Sequence, residues 1–132
     1  MALILLVEDD LLNREMIGRY LLIQGFEVIT AVDGAQAVTL AQSQLPDLIL
    51  MDMGLPILSG WQATTQIKTA PGTRTIPIVA LTAYAMAEDR DRAYTVGCDD
   101  FETKPVNFLR LKAKIEALLA SRGAPNIYKN AP

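Results

Sequence analysis

Five short apolar runs punctuate this chain, each ending in polar or charged residues, with helix-patterned segments between them. The most constraining is Leu48-Ile49-Leu50-Met51, which runs straight into Asp52 and then Met53-Gly54-Leu55-Pro56. A continuous apolar run of this length suits a strand buried on both faces, as in the middle of a parallel sheet. A lone carboxylate is costly to bury, so Asp52 belongs where the strand leaves the core. Ligands of open α/β sheets bind along that carboxyl edge. Asp52 is therefore either a surface acid at a strand end or the centre of a site.

The other elements follow in order. Leu3 to Val7 reads as a first buried strand closed by Glu8, Asp9 and Asp10. Leu12, Met16, Tyr20 and Ile17, Leu21 recur at helical spacing, and Gly25 stops that helix. Glu27 to Ala31 is a short strand. Asp33 is a good N-cap for the next helix, whose inner stripe is read as Val38, Ala41 and Leu45. After the central strand, Met53 to Ser59 is a loop, and a helix runs from about Gly60 to Thr69 with Trp61 and Ile67 inward. Ile76 to Leu81 reads as the fourth strand, with Pro77 near its start, where a missing N–H is tolerated. A helix from about Met86 to Val96 carries Glu88-Asp89-Arg90-Asp91-Arg92 and a thin apolar stripe. Asp100 to Thr103 is the fifth strand. The last helix, about Asn107 to Ser121, turns Phe108, Leu111, Ile115, Leu118 and Leu119 inward, and Arg110, Lys112, Lys114 and Glu116 away. Residues 2–121 form the domain, and 122–132 read as a tail or truncated linker.

Strands alternating with helices give an α/β fold, a five-stranded parallel sheet with helices on both faces and right-handed crossovers. For a chain of 132 residues the flavodoxin-like order 2-1-3-4-5 is expected.

The absence of histidine removes His-based general-base catalysis, His metal ligation and a Ser-His pair. A net charge of −3 leaves no basic face to neutralise phosphates, against a nucleic-acid binder. The one cysteine, Cys98, allows no internal disulfide, fits a reducing compartment and reads as a small buried hydrophobe. No run reaches the length of a membrane span, and the N-terminus lacks the basic region of a signal peptide. A cytoplasmic location is expected.

The expected strand order brings Glu8, Asp9, Asp52, Thr82 and Lys104 to one edge. Clustered carboxylates repel and raise one another's pKa unless a cation offsets them. Mg2+ suits a few carboxylate oxygens plus waters and phosphate oxygens. Lysine adds a positive charge and threonine a donor hydroxyl. Such a set fits phosphoryl transfer with the aspartate as nucleophile.

At this point the sequence resembles the receiver domain of two-component response regulators. Five separated elements carry the resemblance: Leu5-Leu6-Val7-Glu8-Asp9-Asp10, Leu48 through Pro56, Ser59-Gly60, Val79-Ala80-Leu81-Thr82-Ala83 and Phe101-Glu102-Thr103-Lys104-Pro105. The resemblance implies that Asp52 is the phosphoacceptor. It implies that Glu8, Asp9, Asp52 and the Gly54 backbone carbonyl form the Mg2+ site, Asp9 directly and Glu8 through water. Thr82 corresponds to the switch hydroxyl, Phe101 to the aromatic that follows it inward, and Lys104 to the partner of the phosphoryl oxygens. The Lys104-Pro105 bond is expected to be cis. The implied donor is a phosphohistidine on a histidine kinase or histidine phosphotransfer protein. The chain would be a phosphoacceptor that assists its own phosphorylation and self-dephosphorylation rather than an enzyme. It would be a monomer or weak dimer, and its fourth helix, fifth strand and fifth helix would meet a downstream partner.

Departures from the family pattern are few. Glu8 stands where aspartate is commoner. Gly54 and Tyr84 occupy the positions that modulate water access to a phosphoaspartate; Gly54 cannot orient a water and Tyr84 is bulky, so slow self-dephosphorylation is expected. Two other classes stay open. A haloacid-dehalogenase-like phosphatase also uses an aspartyl nucleophile, but it needs an aspartate where Gly54 stands. A receiver-like docking module independent of phosphorylation would not need all these positions filled.

Overall fold

The computed structural model describes residues 1–83 and 87–123. Its elements are β1 (Leu3–Val7), α1 (Leu11–Ile23), β2 (Glu27–Ala31), α2 (Gly34–Gln44), β3 (Leu48–Asp52), α3 (Gly60–Thr69), β4 (Ile78–Thr82), α4 (Ala87–Thr95), β5 (Asp100–Thr103) and α5 (Phe108–Gly123). The strands form one parallel sheet in the order β2-β1-β3-β4-β5. The α/β class and strand order are as expected.

Alternation along the strands divides the core in two. Leu5, Val7, Ile49, Met51, Ile78 and Ala80 face the layer containing α2, α3 and α4. Ile4, Leu6, Leu48, Leu50, Val79 and Leu81 face α1 and α5. Central strands covered on both sides must be apolar throughout, which is why β3 and β4 are continuous runs. Every residue from Leu48 to Met51 is 0 % exposed.

Capping matches the local chemistry. Asp10 caps α1 by accepting from the Asn13 N–H, and Asp33 caps α2 through the Gln36 N–H. Ser59 and Gln62 form a reciprocal capping box at the start of α3.

Several expectations need correction. Leu45 is not part of an inner stripe: it ends α2 in a left-handed conformation, φ 45°, and is exposed. The buried face of α2 is Gly34, Ala37 and Ala41. In α1, Ile17 and Leu21 are buried, but Leu12 and Met16 are exposed. A helix of this amphipathicity offers two adjacent apolar arcs, and only one meets the sheet. The fourth strand starts at Ile78, and the last helix continues to Gly123. Arg122 there donates to the carbonyls of Pro46 and Asp47. Arg110 and Lys114 do not simply point away; both reach the buried carboxylate of Glu102 on β5. Met86 and residues 124–132 lie outside the described residues.

The charged helix α4 buries only Ala93, so its apolar stripe is thin as expected. Its arginines engage aromatic faces. Arg92 lies 4.3 Å from the Trp61 ring centroid and Arg90 5.6 Å from that of Phe101.

Candidate functional site

The register sets the site. Val7 pairs with Met51, so the next residues, Glu8 and Asp52, emerge together from adjacent strands. Asp52 pairs with Leu81, placing Thr82 one step further along the same edge. Thr82 pairs with Thr103, and the Lys104 N–H donates to the Thr82 carbonyl at 2.8 Å. Four strand ends thus converge without any loop having to reach across.

Glu8 is fully buried, Asp52 and Thr82 nearly so, and Asp9 is exposed at the rim. The Lys104 Nζ lies 2.9 Å from Glu8 Oε1 and 3.1 Å from Asp52 Oδ2. The Gly54 N–H donates to Asp52 Oδ1 at 3.0 Å. Phe101 is buried in the core beneath Arg90, its ring turned inward. The Lys104–Pro105 peptide is cis. Tyr84 lies outside the described residues.

Charge and burial act against each other here. Burial, first, and then a hydrogen bond toward Asp52 push the Glu8 carboxyl up to about 7, with Lys104 opposing. Burial also raises Asp52, but hydrogen bonds with Glu8 and the Gly54 N–H and the charge of Lys104 outweigh it and hold Asp52 below the ordinary carboxylate range. Burial draws Lys104 down, yet Glu8 and Asp52 together raise it. The cleft therefore favours the ionised form of Asp52 beside the Lys104 ammonium, and favours a proton on Glu8 more than an exposed carboxyl would.

The donor set fits a hard divalent cation. Glu8, Asp9 and Asp52 each offer one carboxylate oxygen, all within 4.8 Å of one another. Glu8 Oε2 is buried and has no hydrogen-bond partner among the described residues. A buried carboxylate oxygen without a protein partner is satisfied by a proton or a cation.

The cleft around Asp52 holds about 460 Å³ and is bounded by Thr82 and Lys104 on the sheet side and by Trp61, Asp89 and Arg92 on the helix side. From sequence Trp61 reads as an inward-facing residue of α3, and α4 as a charged helix with a thin apolar stripe. Nothing local in the sequence signals that Arg92 and Trp61 stack beside Asp52. Arg14 was also missed: its Nη1 donates to the carbonyls of Glu8, at 2.9 Å, and Asp9, at 3.4 Å, steadying the acidic turn. Gly60 is fixed by space. A Cβ there would stand 2.2 Å from the Asp52 carbonyl oxygen and 2.6 Å from Met53 Cα.

Relatives share this architecture. The polar-differentiation response regulator DivK of Brucella anthropi is 36% identical over 116 residues, covering 88% of this chain and 94% of DivK. The receiver domain of the sensor histidine kinase PA1611 of Pseudomonas aeruginosa, solved with magnesium coordinated in its active site cleft, is 38% identical with a TM-score of 0.85, covering 90% of this chain and 98% of that one. The co-crystal structure of the Saccharomyces cerevisiae histidine phosphotransfer signaling protein Ypd1 with the receiver domain of its downstream response regulator Ssk1 gives a TM-score of 0.86 at 32% identity, covering 95% of this chain and 93% of that one. The response regulator receiver domain family matches residues 4–116. With those residues, this strand order and the acid cluster at the carboxyl edge of the sheet, the chain belongs to the response regulator receiver domains of two-component signalling.

Proposed function

We propose that this receiver domain is a phosphorylation-controlled switch that takes a phosphoryl group onto Asp52. The observation that carries the reading is the placement of an ionised Asp52 against the Lys104 ammonium, with Thr82 in the same cleft. The donor is a phosphohistidine on a histidine kinase or histidine phosphotransfer protein, the latter kind of partner being the one crystallised with the Ssk1 receiver domain. These 132 residues include no histidine, so the donor residue lies outside them.

The chemistry is an in-line displacement. An Asp52 carboxylate oxygen forms the new P–O bond, the P–N bond of the donor breaks, and its electron pair stays on the imidazole nitrogen. Lys104 sits where it can neutralise charge gathering on the phosphoryl oxygens. The Thr82 hydroxyl donates a hydrogen bond to one of them. The cation-binding residues are Glu8, Asp9, Asp52 and the Gly54 carbonyl, and Mg2+ held there would supply electrostatic stabilisation of the transferring group. Thr82 and Phe101 then bias α4 and β5 between two packings, which changes binding at the α4-β5-α5 face. Gly54 and Tyr84 modulate water access to the phosphoaspartate and so its lifetime. Among the described residues no helix is long and apolar enough to cross a membrane.

Intact-mass measurement tests the acceptor. Incubation with Mg2+ and acetyl phosphate should add one phosphoryl group to the parent protein and none to Asp52→Asn. An equal adduct on both proteins, or none on either, overturns the reading.

A further inference from the structure

On its α5 side, β5 is held by charge where neighbouring strands use apolar packing. Glu102 is in register with Leu81 and faces the α1 and α5 layer, only 2 % exposed. Its Oε1 accepts from Arg110 Nη2 and from the Thr103 N–H, each at 3.0 Å. Its Oε2 accepts from Arg110 Nε at 3.3 Å and lies 3.4 Å from Lys114 Nζ. Lys114 Nζ also donates to the Phe101 carbonyl. An apolar side chain in this place would cover α5 with less desolvation. What the ion cluster adds is direction. It bonds the backbone of residues 101 and 103 to two points, one helical turn apart, on a rigid helix.

One residue further is Lys104. Its N–H is fixed to Thr82, and its Nζ spans to Asp52 and Glu8. We propose that Glu102 is a positioning residue for Lys104. With Arg110 and Lys114 it fastens the end of β5 to α5, so that the Lys104 ammonium stays on the two carboxylates. The consequence for phosphorylation rate rests on Asp52 being the acceptor; the placement of Lys104 does not.

NMR of the Lys104 side-chain amine in metal-free protein tests the placement directly. Glu102→Leu keeps an apolar contact with α5 but loses all four acceptor contacts. It should raise Lys104 amine hydrogen exchange about tenfold or more while keeping a cooperative melt. Glu102→Gln keeps the shape and one acceptor, and should raise it by less. It also serves if the leucine variant fails to fold. Lys112→Gln, on the same helix and paired among the described residues with Glu116, should change nothing. With Mg2+ and acetyl phosphate, Glu102→Leu should slow phosphorylation about tenfold or more, because small misplacements of a charge-stabilising group are costly. Its Mg2+ affinity, read by Trp61 fluorescence, should stay within about twofold. Unchanged Lys104 exchange in both Glu102 variants overturns the proposal. So does a loss of Mg2+ affinity and stability in parallel, with no effect particular to Lys104. A wild-type protein that takes no phosphoryl group refutes the acceptor reading and leaves the amine measurement to decide this one.

Discussion

Glu8 and Lys104, 96 residues apart in sequence, meet at 2.9 Å across the carboxyl edge of the sheet. Lys104 also touches Asp52, so one ammonium serves two buried acids. Removing it would leave those carboxylates facing each other, with only a proton or a cation to offset them. Lys104→Met should keep the fold in the presence of Mg2+, since methionine keeps much of the apolar stem of the lysine. Its phosphorylation rate with acetyl phosphate should fall by about 10²-fold, as for loss of one charge-stabilising donor. Rapid-mixing kinetics at saturating Mg2+ would check this; an unchanged rate would remove Lys104 from the chemistry.

The raised pKa of Glu8 predicts a pH dependence of metal binding. Burial, the hydrogen bond to Asp52 and the charge of Asp52 favour a proton on Glu8 up to about 7. A cation at this site competes with that proton, so Mg2+ affinity should weaken below pH 7 by up to about tenfold per pH unit and level off above it. The sign for stability follows. Because the folded-state value is raised, the contribution of Glu8 is complete below its unfolded value of 4.5 and is lost as pH rises through about 7. Asp52 and Glu102 are both lowered and act only in acid, below that window. Metal-free protein should therefore melt at lower temperature at about pH 8 than at about pH 5.5, and saturating Mg2+ should abolish that fall. A flat metal-free profile over this range would contradict the protonated Glu8.

What the sequence showed and what it hid divide along physical lines. The strands were legible because a doubly covered strand has to be apolar at every position, and Leu48 to Met51 has no polar break. The site was legible because parallel strands send all their carboxyl ends to one edge. Asp33 was legible as a cap, since a cap acts within three residues. Leu45 misled because an apolar residue at helical spacing looks inward until the backbone turns left-handed beneath it. Leu12 and Met16 misled because periodicity gives an arc but not which part of it meets the sheet. The Glu102–Arg110–Lys114 cluster and the Arg92–Trp61 stack join different elements, and no local pattern reports such pairs.

Leu45 gives a stability prediction. It ends α2 at φ 45° with its side chain 58 % exposed, so the conformation costs energy and the side chain returns little burial. Glycine or asparagine is the usual occupant of such a helix end. Leu45→Asn should stabilise the protein by about 1 kcal/mol. Urea unfolding at fixed pH and Mg2+ would measure it, and a loss of stability would show that Leu45 makes apolar contacts that outweigh the strain.

Gly60 links packing to the site most directly. The start of α3 passes so close to the end of β3 that a Cβ would lie 2.2 Å from the Asp52 carbonyl oxygen and 2.6 Å from Met53 Cα. Both are backbone atoms, so no side chain can swing aside. The Gly60 N–H also donates to the Met53 carbonyl at 3.2 Å, which ties the helix to the loop that follows Asp52. Gly60→Ala must push α3 outward or displace the last residues of β3. Either response should destabilise the fold by about 1–3 kcal/mol or more. The second should also move Asp52 relative to Lys104 and slow phosphoryl acceptance beyond what partial unfolding explains. Urea titration together with single-turnover phosphorylation, measured where the variant is still fully folded, separates the two. A slowed folded variant places the damage at Asp52. A normal rate in a merely less stable variant means that α3 moved and the site did not.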